Sequence, residues 1–170
     1  MKRSPMRIGL IADTHGLFDS SIGRRFAGVD RIIHAGDIGD PTVIDRLKEI
    51  APVTAVSGNV DGYETSGFPL EAVMDLEGCR IAVRHVLFEG GKLTKEGKAF
   101  IERVHPDVCI FGHSHQPTIE HLGNILFVNP GSAGPRRFRL PRSLALLSLH
   151  EGPVQAQLLS LSAPRRGLKR

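Results

Sequence analysis

Three short apolar runs, MRIGLIAD, DRIIHAGD and VTAVSGN, open the chain, each ending on a carboxylate or an amide. A helix-length segment separates each run from the next, and this alternation constrains the fold more than any other feature. Strands interleaved with helices of this length imply parallel βαβ units. In the first interval, LFDSSIGRRF, the residues Phe18, Ile22 and Phe26 are spaced to share one helix face. In the second, Asp40 suits a helix N-cap and Pro41 the first helical position. Val43, Ile44, Leu47 and Ile50 then form an apolar stripe.

The second half follows a different plan. After the glycine-rich loop VDGYETSGFP, the runs LEAVMDLEG and CRIAVRHVLF read as two strands across a turn. KLTKEGKAFIERV fits a helix, with Leu93, Phe100, Ile101 and Val104 on one face. DVCIFGH, TIEHL, NILFVNPG, SLALLSLH and PVQAQLLSL then follow as strands. A chain that begins as alternating βα and ends in consecutive strands predicts an α/β fold: two sheets packed together with helices outside. Its 170 residues fit one domain, with a core over about 7–160 and a basic tail at 163–170.

Composition narrows the function classes. No apolar run approaches the roughly 20 residues of a membrane helix. The start, MKRSPMRIGLIADTHG, lacks the long apolar core and cleavage site of a signal peptide, so a cytoplasmic location is expected. Cys79 and Cys109 lie in strand and turn patterns and read as packing thiols. Much of the net charge of +4 sits in PRRFRLPR at 135–142 and in the tail. Tryptophan is absent and tyrosine occurs once, so no stacking platform for single-stranded nucleic acid is evident.

Polar residues gather where the expected strands end. Asp13 and His15 lie in IADTHG, Asp37 in HAGDIG, Asn59 and Asp61 in SGNVDG, His85 in AVRHV, and His113 and His115 in GHSHQP. In open α/β sheets ligands bind outside the carboxyl ends of the strands, so these groups can meet in one crevice. Glycine directly precedes Asp37, Asn59 and His113, allowing tight turns and close backbone approach. If the segment stays extended, His113 and His115 point to the same side. Carboxylates, an amide oxygen and imidazoles make an oxygen-and-nitrogen ligand set that suits manganese, iron, nickel or zinc. With no thiolate in the set, a structural zinc knot is disfavoured. The loop GLIADTHG presents Asp13, which repels a phosphate unless a cation lies between them.

The ordered series DTH, GD, GN, a lone histidine and GHSH resembles the calcineurin-like metallophosphoesterase superfamily. More closely it resembles the small single-domain phosphodiesterases of the YfcE-type group, over roughly residues 7–160, and HSHQP and NPGS strengthen the likeness. The resemblance implies a four-layer αββα sandwich of two mixed β-sheets flanked by helices. It implies two divalent metal ions per chain, manganese first, with iron, nickel or zinc as alternatives. Asp13, His15, Asp37 and His115 are expected to hold one ion, and Asp37, Asn59, His85 and His113 the other, with Asp37 bridging. Asp37, Asn59 and His85 are expected to serve catalysis as well as ligation. The implied reaction is hydrolysis of a small or activated phosphodiester by a metal-bridging hydroxide. The implied partner is that small substrate, with no membrane and no dedicated nucleic-acid surface; a homo-oligomer is compatible with this.

Two departures from the family pattern bear on chemistry. Many members carry a histidine directly after the third-motif asparagine, where this chain has Val60, so leaving-group protonation is expected to be weak. Close relatives often have HGH at the fourth motif, where this chain has HVL, with Val86 and Leu87. The alternatives are a phosphomonoesterase and a non-catalytic scaffold such as the retromer subunit of the same fold. The complete set of seven expected ligands weighs against the scaffold. His34 reads as structural, Asn129 and Ser132 suit either support of the metal loops or turns, and Arg136, Arg137 and Arg139 suit either a phosphate contact or a solvated basic loop.

Overall fold

The computed structural model describes residues 3–62, 67–137 and 139–161. The expected basic tail at 163–170 and the centre of the glycine-rich loop lie outside the described residues. The first half forms β1 (Met6–Ile11), α1 (Ile22–Arg25), β2 (Arg31–His34), α2 (Pro41–Lys48) and β3 (Val53–Ala55). The second half forms β4 (Glu71–Leu76), β5 (Cys79–Arg84), a hairpin of β6 (Phe88–Glu89) and β7 (Lys92–Leu93), and α3 (Lys95–Val104). It continues through β8 (Val108–Ile110), β9 (Thr118–Leu122), β10 (Ile125–Asn129), β11 (Ser143–Leu149) and β12 (Gln155–Ser160).

Two five-stranded sheets result, in the orders β12-β11-β1-β2-β3 and β4-β5-β8-β10-β9. Both are mixed. In the first, β1, β2 and β3 run parallel, while β11 lies antiparallel to β1 and to β12. In the second, β5, β8 and β10 run parallel, with β4 and β9 antiparallel at the edges. Strand alternation divides the apolar side chains between two faces. Ile8, Leu10 and Ile33 of the first sheet meet Ile81, Val83, Val108 and Val128 of the second between the sheets. Ile11, Ile32 and Leu144 face outward under Ile22, Phe26, Val43, Ile44 and Leu47 of the first helical layer. Cys109, Phe111 and Phe127 face outward near Phe100 of α3. These layers are the expected αββα sandwich, and buried Cys109 is a packing thiol.

The helices are shorter than the apolar spacing predicts. The first interval holds one turn of helix, because Asp19 accepts hydrogen bonds from the backbone N–H and hydroxyl of Ser21 at 2.8 and 2.7 Å. That side-chain turn competes with helix before Ile22. α3 begins only after Thr94, whose hydroxyl accepts from the Gly97 N–H at 2.9 Å, so Leu93 belongs to β7 and is exposed. α2 follows its sequence closely: Asp40 caps it by accepting from Thr42, and Pro41 is its first residue. Among the described residues, no helix is long and apolar enough to cross a membrane.

Candidate metal centre

All seven expected ligands converge beyond the strand ends, on loops rather than on the strands themselves. Asp13, His15, Asp37, His113 and His115 all have positive φ, between 45° and 76°. Such left-handed backbone is uncommon outside glycine and costs on the order of 1 kcal/mol per residue. It persists only where the surroundings enforce it. Here the loops are tied together: Asp13 N–H donates to the Gly36 carbonyl, His15 N–H to that of Asp37, and Gly112 N–H to that of His85, at 2.9–3.1 Å. Close approach adds to this. A Cβ on Gly58 would lie 2.0 Å from Asp37 Oδ1, and one on Gly36 2.8 Å from the His85 ring.

The left-handed turns correct one expectation. Residues 113–115 are not extended, so the two imidazoles diverge instead of sharing a side. His115 Nε2 faces Asp13 Oδ1 at 3.3 Å and His15 Nε2 at 3.4 Å. His113 turns the other way, its Nδ1 3.3 Å from Asn59 Oδ1. One loop thus serves two neighbouring clusters.

The two carboxylates are set alike. Asp13 Oδ2 accepts from the His113 N–H at 3.3 Å, and Asp37 Oδ1 accepts from the Val60 N–H at 3.0 Å. Each keeps its other oxygen for the histidines. Asp13 Oδ1 lies 3.9 Å from His15 Nε2 and 3.7 Å from His85 Nε2; Asp37 Oδ2 lies 3.8 and 3.2 Å from the same atoms. Ligand atoms of Asp13, His15 and His115 fall within 4.8 Å of one another, as do those of Asp13, Asp37 and His85. Asp13 is therefore as central as the expected bridge, Asp37.

The donor chemistry fits a cation. His85 Nδ1 lies 2.7 Å from the Ala35 carbonyl, which can only accept, so Nδ1 carries a proton and Nε2 is the ring atom turned to the carboxylates. Asp13 Oδ1 is buried and has no hydrogen-bond partner. The Asn59 side-chain amide lies 3.1 Å from His85 Nε2 and 3.3 Å from both Asp37 oxygens, where it can donate its N–H or, turned over, offer its oxygen to a cation. A buried carboxylate oxygen with no partner is costly unless a positive charge joins it.

Burial and the two carboxylates also set how the cluster titrates. Burial, the largest influence on His85, lowers its pKa, but the hydrogen bond and charge of Asp37 with the charge of Asp13 outweigh it, so the net shift is upward. For His15 burial dominates and the shift is downward, against the pull of Asp37 and Asp13, with Arg137 adding to it. Burial alone would raise Asp37, yet His85, the Val60 N–H and His15 hold it below the usual carboxylate range.

Several supporting residues act on the loops. His34 is fully buried: its Nδ1 accepts from the Gly36 N–H at 3.1 Å, leaving Nε2–H to donate to Thr14 Oγ1 at 3.0 Å. The Thr14 hydroxyl in turn donates to the Ile38 carbonyl at 2.8 Å. Asp61 accepts from the N–H groups of Ile38, Gly39 and Gly58 at 3.2, 3.0 and 2.7 Å, clasping two ligand loops together. Ser132 donates to the Asp13 carbonyl, and Asn129 to the Gly112 carbonyl and Ser114 hydroxyl. Arg136, Arg137 and Arg139 are exposed, and His105 caps α3 in a left-handed conformation. Glu89, which the sequence did not single out, lies 3.6 Å from His113 Nε2; a glutamate before two glycines carries no signal of that approach.

Comparison with known proteins agrees with this geometry. Residues 6–152 match the family model described as the calcineurin-like phosphoesterase superfamily domain. A probable metallophosphoesterase of Methanocaldococcus jannaschii is 36% identical over 167 residues, covering 92% of this chain and 82% of its own length. A second protein of that organism, named a phosphodiesterase, is 29% identical over 147 residues, 74% of this chain and 83% of its own. A solved structure from Streptococcus pneumoniae, titled a predicted phosphoesterase, superposes with a TM-score of 0.72 at 27% identity, covering 93% of this chain and 91% of its own.

Proposed function

The chain belongs to the calcineurin-like phosphoesterase superfamily, and on that premise we propose that it is a phosphodiesterase working with two divalent cations. Asp13, His15, Asp37, Asn59, His85, His113 and His115 would hold them, manganese first and iron, nickel or zinc as alternatives. The observation that carries this reading is the buried, unpartnered Asp13 Oδ1 facing three imidazoles. Bound there, such cations supply a water of lowered pKa and neutralise charge on phosphoryl oxygens.

The chain's own residues set the rest. Asp13 and Asp37 bring about two negative charges and the other ligands none, so two divalent cations leave the site net positive and suited to an anion. Arg137 lies near enough for its charge to help lower the pKa of His15, so its guanidinium adds to the positive side of the site. That the anion is a diester is favoured by the relative named a phosphodiesterase. Asp13, Asp37, His85 and His115 are buried while His113 and Val60 are not, so substrate enters from the side of those two residues.

Three side chains near the site offer no free proton donor for the leaving group. Val60 cannot donate, both nitrogens of His34 are engaged, and Asp61 is committed to three backbone N–H groups. The test is a panel of bis(p-nitrophenyl) phosphate and p-nitrophenyl phosphate, assayed after chelation with each metal returned singly. Diester turnover exceeding monoester turnover supports the reading. Dominant monoester turnover would make the protein a phosphomonoesterase, and silence with every metal would favour a scaffold.

A further inference from the structure

Beside His113 lies a cleft of about 860 Å³, within the range of small-molecule sites. Its floor is the outer face of the second sheet, and the β6–β7 hairpin forms one wall. Gly90 and Gly91, both with positive φ, make the two-residue turn that folds this hairpin over. Phe88 packs on Phe111 and Phe127 with ring centroids 5.0 and 5.5 Å apart. β9 contributes alternate residues to the cleft, and of these Glu120 lies opposite Phe127 and Leu122 opposite Ile125. Leu122 is 46% exposed, an apolar side chain left open at the cleft.

We infer that this cleft holds the non-leaving arm of the phosphodiester and selects an uncharged, aromatic or otherwise apolar arm. The inference rests on the phosphodiesterase reading and adds its substrate class. Three features carry it. His113 belongs to both places, turning Nδ1 toward Asn59 and Nε2 toward Glu89, so a phosphoryl group at the ligand cluster has one substituent within reach of the cleft. Half-buried Phe88, backed by the buried rings of Phe111 and Phe127, and exposed Leu122 offer apolar surface that an arm would cover. The charged side chains lining the cleft are the carboxylates Glu89 and Glu120, with no lysine or arginine among the described lining residues, so an anionic arm is repelled.

The test holds the leaving group constant. Methyl, phenyl and p-carboxyphenyl p-nitrophenyl phosphates are compared by kcat/KM in the manganese-loaded protein and in Leu122→Asp. Leu158→Asp, altering a leucine on β12 away from the cleft, is the control. The phenyl arm is expected to exceed the methyl arm by about 10–100-fold, the worth of burying an aromatic ring. The carboxyphenyl arm should fall below the phenyl. Leu122→Asp should bring the phenyl-to-methyl ratio down severalfold, and Leu158→Asp should leave that ratio as it was. Intrinsic differences between arms cancel, because the same ratio is read in each protein. Binding is read separately: diphenyl phosphate should shift the Leu122 methyl resonances of methyl-labelled protein. Diester hydrolysis with an unchanged ratio in Leu122→Asp overturns this inference and leaves the phosphodiesterase reading standing. A protein that hydrolyses none of the diesters overturns both.

Discussion

His115 Nε2 lies 3.3 Å from Asp13 Oδ1, a buried carboxylate oxygen that accepts no hydrogen bond. Leaving such an atom unpaired costs on the order of 1–3 kcal/mol. A bound cation removes that cost, so the folded state should gain stability from metal. At a metal concentration about 100 times the dissociation constant the gain is about 2.7 kcal/mol, or roughly 5–10 °C in Tm for a chain of this size. Calorimetry with chelator and then with manganese should show this rise, and Asp13→Asn should lose most of it. Equal Tm values for the chelated and manganese-loaded protein would refute the prediction.

Metal stoichiometry separates the roles of the two carboxylates and the histidines. Asp37 faces both His15 and His85, whereas His15 faces the Asp13 and His115 side. His15→Ala should retain about one ion per chain by elemental analysis, and Asp37→Ala should retain less. Two tightly held ions in Asp37→Ala would contradict the shared role given to that residue.

His34 predicts a specific acid sensitivity. Burial, the largest influence, lowers its pKa from 6.5 to about 4, so the unfolded chain takes up the proton first as pH falls. Its contribution is therefore whole above about pH 6.5 and is lost progressively toward pH 4, by about 3 kcal/mol. Denaturant unfolding of metal-free protein across that window should show a shallower pH dependence in His34→Gln. Parallel curves for the two proteins would sink the assignment.

Val60, 51% exposed at the mouth of the site, can give no proton to the departing oxygen. A positioned general acid contributes about 10²–10⁴-fold, so its absence should appear as a steep dependence of rate on leaving-group pKa. Activated aryl diesters should be cleaved well and alkyl diesters poorly, and Val60→His should flatten the slope. A shallow slope in the unaltered protein, where chemistry limits the rate, would mean that another group supplies the proton.

The parts of this architecture that were legible in the sequence are those with a local signature. Short apolar runs ending in Asp13, Asp37 and Asn59 marked both the parallel strands and the convergence of their ends. Asp40 and Pro41 marked the start of α2. What the sequence did not show depends on long-range closure. Nothing local says that His113 and His115 adopt left-handed backbone and part company, because that conformation is imposed by loops from distant strands. Asp61 looks like a turn residue, and only the fold shows it clasping the loops before Gly39 and Gly58. Glu89 gains its place beside His113 from a two-strand hairpin too short for strand periodicity to register. Spacing also overestimated α1, since apolar periodicity does not register the Asp19–Ser21 turn.

We propose that the cluster around Asp13 and Asp37 is a metal centre that hydrolyses phosphodiesters. This is tested most directly by titrating chelated, metal-free protein with manganese while following bis(p-nitrophenyl) phosphate hydrolysis. No turnover is expected at the start, and activity should rise to a plateau near two equivalents per chain. Undiminished turnover in excess chelator, with metal loss confirmed by elemental analysis, would contradict it.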